Sequence, residues 1–212
     1  VSKLAHLESR SLSPLYYQRV SLAHVNFENL YNRCAAIAKR IAKHEGDPRL
    51  AGRINSSLNG IFPCILGTTV KTHKVQFDIG LRPLHKACRP ALQGLSTWLV
   101  KKLAPILDGL DFFMRDSFAV KKQLEGLHVP FGARLAIFDI KDFFLSGTAS
   151  EVSHDVGSLY EHPLANLVKE VAFTLLQNQY LFVEFSATMY KCFKGTGMGL
   201  QHSGFLANLA YY

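Results

Sequence analysis

Long apolar runs are missing from this sequence. No stretch of its 212 residues approaches the ~18 apolar residues of a membrane-crossing helix. The N-terminus lacks the charged-then-apolar layout of a secretory signal. Cysteine is scarce: Cys34, Cys64, Cys88 and Cys192 include no pair at zinc-knuckle spacing, and a chain this long needs no disulfide staples. Buried, reduced thiols are the expectation. Nine histidines are scattered without a His-Glu-x-x-His motif or a tight cluster, so histidine supplies no metal site. There is no internal repeat and no low-complexity tract. Acidic residues are the minority, 16 against 24 Lys and Arg, for a net charge of +8. That balance favours an anionic partner, a nucleic acid or a membrane surface, without choosing between them.

About half the residues are apolar and 11% are aromatic, enough for a sizeable core and against disorder. The first residue is Val1, and Tyr211 and Tyr212 end the sequence within an apolar pattern. The chain therefore reads as a fragment of a longer one. Its charge is uneven. Between Arg53 and Lys102 stand eight basic residues and one acid, Asp78, while residues 151–212 are slightly acidic. The basic residues are interleaved with Gly, Pro and Thr, which suits a loop-and-hairpin element that grips phosphate; a solvated basic face is the plainer alternative.

Apolar residues Leu22, Val25, Leu30, Cys34, Ile37 and Ile41 recur at helical spacing and predict a helix over Ser21 to Glu45, with Ser21 as N-cap and Gly46-Asp47-Pro48 as stop. Phe62 to Val70 and a stretch near Leu81 predict two strands of a hairpin. Leu92 to Leu107 and Ser117 to Leu127 read as helices. Leu135 to Ile140 reads as a buried strand, and Leu159 to Gln177 as one long helix with Pro163 in its first turn. Leu181 to Phe185 and Met189 to Phe193 predict a second hairpin, and Ser203 to Tyr212 a last helix. The class is α+β or α/β, with a mostly antiparallel sheet.

Three features carry chemistry. In the segment Ala136 to Leu145, Asp139 interrupts an apolar strand. A carboxylate there is costly unless it is paired or bound to a cation, and a strand-end Asp is a natural Mg²⁺ ligand. Asp142 lies three residues on and Phe144 five, so the strand must end or turn after Asp139. The simpler alternative makes Asp139 or Asp142 the N-cap of a turn starting at Lys141. The second feature is Gly195-Thr-Gly-Met-Gly199, running on through Ser203 to Asn208. Three glycines in five residues allow close approach to a phosphate, base pair or sugar. Its spacing fits neither a P-loop nor a Rossmann turn, and an ordinary glycine turn is the alternative. The third is Thr69-Val-Lys-Thr-His-Lys74 followed by Leu81-Arg-Pro83. Its lysines offer point charges and its Arg a bidentate grip on phosphate, unless it is simply a basic hairpin.

Taken in order, these features resemble the fingers and palm of a reverse transcriptase, nearest to the Penelope-like retroelements, which are relatives of telomerase. The resemblance covers about residues 62–212. Lys71-Thr-His-Lys74 looks like that family's Lys-x-His-Lys motif and Leu81-Arg-Pro83 like its Arg-Pro motif. Asp116-Ser117-Phe118 is similar to an Asp-Ser element, and Phe138-Asp139 to Phe144 to palm motif A. Asn178 to Phe182 is similar to an Asn-x-aromatic-x-Phe strand. Tyr190, Gly195 to Gly199 and Ala207-Asn208-Leu209 resemble motif B.

The resemblance implies a right-hand polymerase architecture: a helical lead-in over 1–60, fingers over 61–130 and a partial palm over 131–212. It implies an RNA-directed DNA polymerase with an RNA template, a DNA primer and dNTPs as partners, and no membrane. Asp139 would be the catalytic, metal-holding residue for two Mg²⁺ ions, with Ile140 and Asp142 near the triphosphate. Lys71, with Lys74 as second choice, and Arg82 would neutralise that triphosphate. Gly197, Met198 and Gly199 would pack on the nascent base pair, and Ser203 and Asn208 would start and brace the following helix. Phe144 would exclude the ribose 2′-hydroxyl and so favour deoxynucleotides, with Phe143 the competitor if the register slips by one. A nuclear address is implied by the family alone, and a cytoplasmic one is equally compatible.

The sequence departs from the family pattern in three places. Cys192 stands where Gln is usual, and Gly204 where Pro is usual. No aromatic-x-Asp-Asp, the motif C of such palms, occurs in these residues. One carboxylate cannot hold two Mg²⁺, so this polypeptide by itself is expected to be inactive. A non-catalytic, basic nucleic-acid-binding module or a retroelement remnant is the alternative.

Overall fold

Helix α1 (Phe27–Glu45) forms where the apolar spacing demands it: Leu30, Cys34, Ile37, Ala38 and Ile41 fall on one buried stripe. In a computed structural model of the chain, residues 12–60, 62–70, 81–87, 90–111, 113–114, 116–134 and 136–210 are described. The helix starts later than its periodicity predicts. Its N-cap is Asn26, whose side chain accepts from the Asn29 amide at 2.8 Å, and Ser21 instead precedes a short 3₁₀ turn. Gly46 closes it in the left-handed conformation, φ 66°.

The remaining helices are α2 (Leu50–Asn55), α3 (Gln93–Asp108), α4 (Ser117–Glu125), α5 (Ala149–Ser158), α6 (Leu164–Gln177) and α7 (Ser203–Leu209). Where one long helix over Leu159 to Gln177 is expected, α6 begins only at Leu164, and α5 precedes it as a separate element. The signal for α5 is a capping box. Thr148 Oγ1 accepts from the Glu151 amide at 3.2 Å, and the Glu151 carboxylate accepts from the Thr148 amide at 2.7 Å. Helices α1, α3, α5, α6 and α7 share one apolar core that includes Ile37, Ile41, Leu99, Leu103, Val156, Val171 and Leu206. At its rim Glu45 accepts from the Trp98 indole at 3.1 Å and pairs with Lys102 at 2.8 Å.

Five strands form one sheet: β1 (Tyr17–Val20), β2 (Cys64–Val70), β3 (Leu81–Lys86), β4 (Tyr180–Val183) and β5 (Thr188–Cys192), in the order β1-β5-β4-β2-β3. Every pairing is antiparallel except β2 with β4, so the sheet is mixed and mostly antiparallel as expected. The expected hairpins are β2–β3 and β4–β5; the first one's connecting residues lie outside the described ones. Register puts Tyr17, Cys192, Tyr190, Leu181, Cys64, Leu66 and His85 on one face. That face is concave. Tyr17 and His85 sit on opposite edge strands, yet their rings are 6.1 Å apart.

Two expectations fail. Residues within the helical lead-in form β1, a strand that pairs with β5, because Tyr17 to Val20 present alternating side chains to an open sheet edge. The expected strand Leu135 to Ile140 is not found over its described residues. Residues 136–140 are irregular and exposed, with Ile137 at 86% and Phe138 at 90%. An apolar strand needs a neighbour to complete its ladder, and none of the five strands pairs with it.

The shared core predicts where stability resides. Leu99→Ala is expected to cost about 2–5 kcal/mol in urea unfolding because the site is fully buried. Thr148→Ala is expected to cost about 1 kcal/mol through loss of the cap.

Candidate functional site

The glycine-rich segment passes over β3, with His85 beneath it. The His85 amide donates to the Met198 carbonyl at 2.7 Å. A Cβ on Gly197 would stand 2.4 Å from the His85 ring, and Gly199, at φ +100°, would bring one to 3.1 Å from the His85 carbonyl. Only glycine permits this approach. Gln179, leading into β4, holds the same loop from the other side: its amide donates to the Gly195 carbonyl at 3.0 Å and its oxygen accepts from the Gly197 amide. Thr196 donates to Ser203 at 2.7 Å, and Ser203 donates to the Gly197 carbonyl at 2.5 Å. Ser203 is the first residue of α7, so the loop and that helix are tied together.

The loop also captures the segment that follows Asp139. The Thr196 amide donates to the Phe144 carbonyl at 2.7 Å and the Gly195 amide to the Gly147 carbonyl at 2.7 Å, and Thr148 bridges Lys194. Asp142 is left-handed at φ 53° and accepts from the Tyr16 hydroxyl at 2.7 Å. That hydrogen bond raises the Tyr16 pKa above its ordinary value. Asp142 precedes a 3₁₀ turn, Phe143–Leu145, without capping it through its side chain. Phe144 is half-buried, its ring edge-on to Phe143 at 5.2 Å, and it shares a small cavity with Thr196 and Ala207.

The other sequence candidates are more dispersed. Asp139 and Ile140 lie on the exposed irregular stretch, and Asp139 bonds to no described residue. Arg82 is exposed on β3, opposite Thr69. Lys71 and Lys74 lie outside the described residues. Asn208 donates to the Gly204 carbonyl one turn earlier in α7, at 2.7 Å. Among the described residues no three His, Cys, Asp or Glu side chains are grouped to hold a metal. One free carboxylate, Asp139, does not fit a two-ion Mg²⁺ centre.

Several residues at the junction carry no signal in a motif. Tyr17 Oη lies 3.5 Å from His85 Nε2, and His202 Nδ1 lies 2.9 Å from Ser96 Oγ. Burial lowers both imidazole pKa values, to about 3 for His85, where His202 adds to the effect, and to about 4 for His202. Cys192, which replaces the expected Gln, is buried beside Tyr17; its thiol donates to the Lys194 carbonyl at 3.2 Å and is pushed up to about 12 by burial. The two histidines share the wall of a cleft of about 670 Å³ with Ser56, Asn59, Gln93 and Gln201. A period-2 reading of Leu81 to Lys86 would have placed His85 on the buried face, but nothing local marks it as the loop's seat.

The contact between Gly197 and His85 makes a specific prediction. Gly197→Ala is expected to destabilise the chain by about 1–3 kcal/mol through overpacking. In an His85→Ala background most of that cost should vanish, a coupling that a double-mutant cycle in urea would measure. Additive costs would mean the two residues do not compete for the same space.

No family model, curated protein or solved structure matches this chain.

Proposed function

We propose that this chain supplies the fingers and partial palm of an RNA-directed DNA polymerase, which transfers dNTPs to a primer 3′-hydroxyl on an RNA template. One observation carries the reading. Two motifs remote in sequence converge: the tail of the Asp139 segment and the Gly195–Gly199 loop meet within a few hydrogen bonds, over the strand whose other face carries Arg82. A glycine loop fixed to a carboxylate-bearing segment suits a site that handles a base pair.

Within that reading each residue has a defined task. Arg82 is exposed and has no carboxylate partner among the described residues, and it would meet a triphosphate from the face of β3 opposite His85. The exposed backbone at Gly199 offers a flat surface to a nascent base pair. Phe144, fixed through its carbonyl, sets a wall against a ribose 2′-hydroxyl. Asp139 supplies the carboxylate, and a second must come from outside the described residues before two Mg²⁺ ions could be held. The solitary Asp139 is also the observation that favours the second reading, a basic module that binds nucleic acid without catalysis.

Primer extension on an RNA template separates the two. The longest product of the reading frame that contains these residues should extend a primer with dNTPs, and Asp139→Ala should lower the rate by on the order of 10²–10³-fold or more. Phe144→Ala in that active enzyme should admit ribonucleotides. Salt-sensitive binding without extension, unchanged by Asp139→Asn, would assign the module reading instead. Ribonucleotide exclusion that survives Phe144→Ala would remove the steric role of that ring.

A further inference from the structure

His85 and His202 are each almost wholly buried, and each keeps one ring nitrogen, His85 Nδ1 and His202 Nε2, without a hydrogen-bond partner among the described residues. They line the same two cavities, the open cleft of about 670 Å³ and a small chamber of about 30 Å³ shared with Cys64, Gln179 and Tyr180. Both are also attached to the glycine-rich loop, at its two ends. His85 holds Met198 through its backbone and lies under Gly197. His202 is the residue before Ser203, whose hydroxyl ties Thr196 and Gly197.

The surroundings offer nothing to an imidazolium. Facing His85 are the Tyr17 hydroxyl on β1 with Cys192 behind it on β5, Cys64 on β2, and His202 itself. Facing His202 are Ser96 on α3, with Cys64 and Tyr180 across the small chamber. No carboxylate, ammonium or guanidinium lines either cavity among the described residues. Arg82 and Lys86 alternate to the opposite face of β3, and Arg19, on the concave face of β1, lines a separate groove with Phe182 and Met189. A charge placed on either ring is therefore uncompensated while the loop is closed. Were the loop to lift toward the open cleft, water would reach it.

We propose that the His85–His202 pair is an acid-sensitive latch on the glycine-rich loop: neutral, the two rings seat residues 195–203 against β3, and protonation of either releases them. The sign follows from linkage. Both rings titrate lower in the closed state than the ordinary 6.5 that they regain when exposed to water. Closure is thus fully favoured above pH 6.5 and weakens as pH falls below it. Between pH 7.0 and 5.5 each ring raises the opening equilibrium about 8-fold, and two together about 70-fold. The inference stands independently of any polymerase activity.

Amide hydrogen exchange on this chain, corrected for the intrinsic rate at each pH, tests it. The reporters are the Gly195, Thr196 and Gly197 amides, which bond within the junction; Val171 and Leu175 in α6 are the controls. The reporters should open about 70-fold more at pH 5.5 than at 7.0 while the controls hold. His85→Gln keeps a group near Tyr17, and His202→Asn keeps one near Ser96. Each single variant should reduce the effect to about 8-fold, and the double variant should abolish it. A pH-independent loop, controls that open in parallel with it, or a double variant that retains the slope would each overturn the latch. Where the variants do not fold, imidazole ¹⁵N shifts of the wild-type chain decide. Both rings should remain neutral to pH 5.5 in the closed state, and a ring that titrates near 6.5 with the reporters still protected refutes the proposal.

Discussion

The contact between His85 and Gly197 is the constraint on which the rest of the junction depends. A buried neutral ring lies where any side chain on the loop would have to be. With the loop at that depth, its amides reach three places at once: Gln179 ahead of β4, Phe144 and Gly147 on the preceding segment, and Ser203 at the start of α7. Shift the ring outward by a methyl and the loop loses register with all three. The concave sheet follows the same logic. Tyr17 meets His85 across four strand pairings because the β2–β4 contact spans only two residue pairs and leaves the β2–β3 hairpin free to fold over.

This arrangement makes the N-terminal residues part of the junction. Tyr16, the last residue of the turn before β1, and Tyr17, the first of β1, point in different directions. One reaches Asp142 and the other His85, while the Tyr16 carbonyl accepts from the Phe193 amide at 3.0 Å. A short edge strand thus fastens the carboxylate segment and the loop to the same sheet. None of these bonds is strong alone, at about 1 kcal/mol net each. Their effect is geometric: they restrict how far Asp142 and Phe144 can move relative to Gly197.

Much of the fold was legible from periodicity, and little of the junction was. Leu95, Trp98, Leu99, Leu103 and Leu107 announce α3, and the β-rich runs announce both hairpins, because burial of one face leaves a repeat in the sequence. Helix α5, which the apolar pattern did not announce, was also written locally, in the capping box of Thr148 and Glu151. Tyr17, Gln179, His85 and His202 leave no such trace. Each is a single residue whose partner lies at least 68 positions away or, for Gln179, across the β4–β5 hairpin, and a lone polar residue on an apolar face looks the same whether it seats a loop or fills a gap. The glycines were visible, while the reason for them, a ring on another strand, was not.

Residues 136–140 show how far a local pattern can be trusted without its partner. Asp139 would need a partner or a cation only if it were buried in an apolar strand. In the exposed, irregular backbone that is found, the carboxylate is already solvated and needs neither. What remains is the tether. Three residues on, Asp142 is held by Tyr16, and five on, Phe144 is held by Thr196, so Asp139 lies within about 10 Å of chain from a fixed point. Were this run to pair with another strand, extended geometry would put Ile137 and Asp139 on one face and Phe138 and Ile140 on the other. The same event would cover the exposed Ile137, Phe138 and Ile140 side chains and fix the direction of the carboxylate. Burial of Phe138 and the aim of Asp139 are therefore one structural question, and any chemistry at Asp139 depends on the strand that answers it.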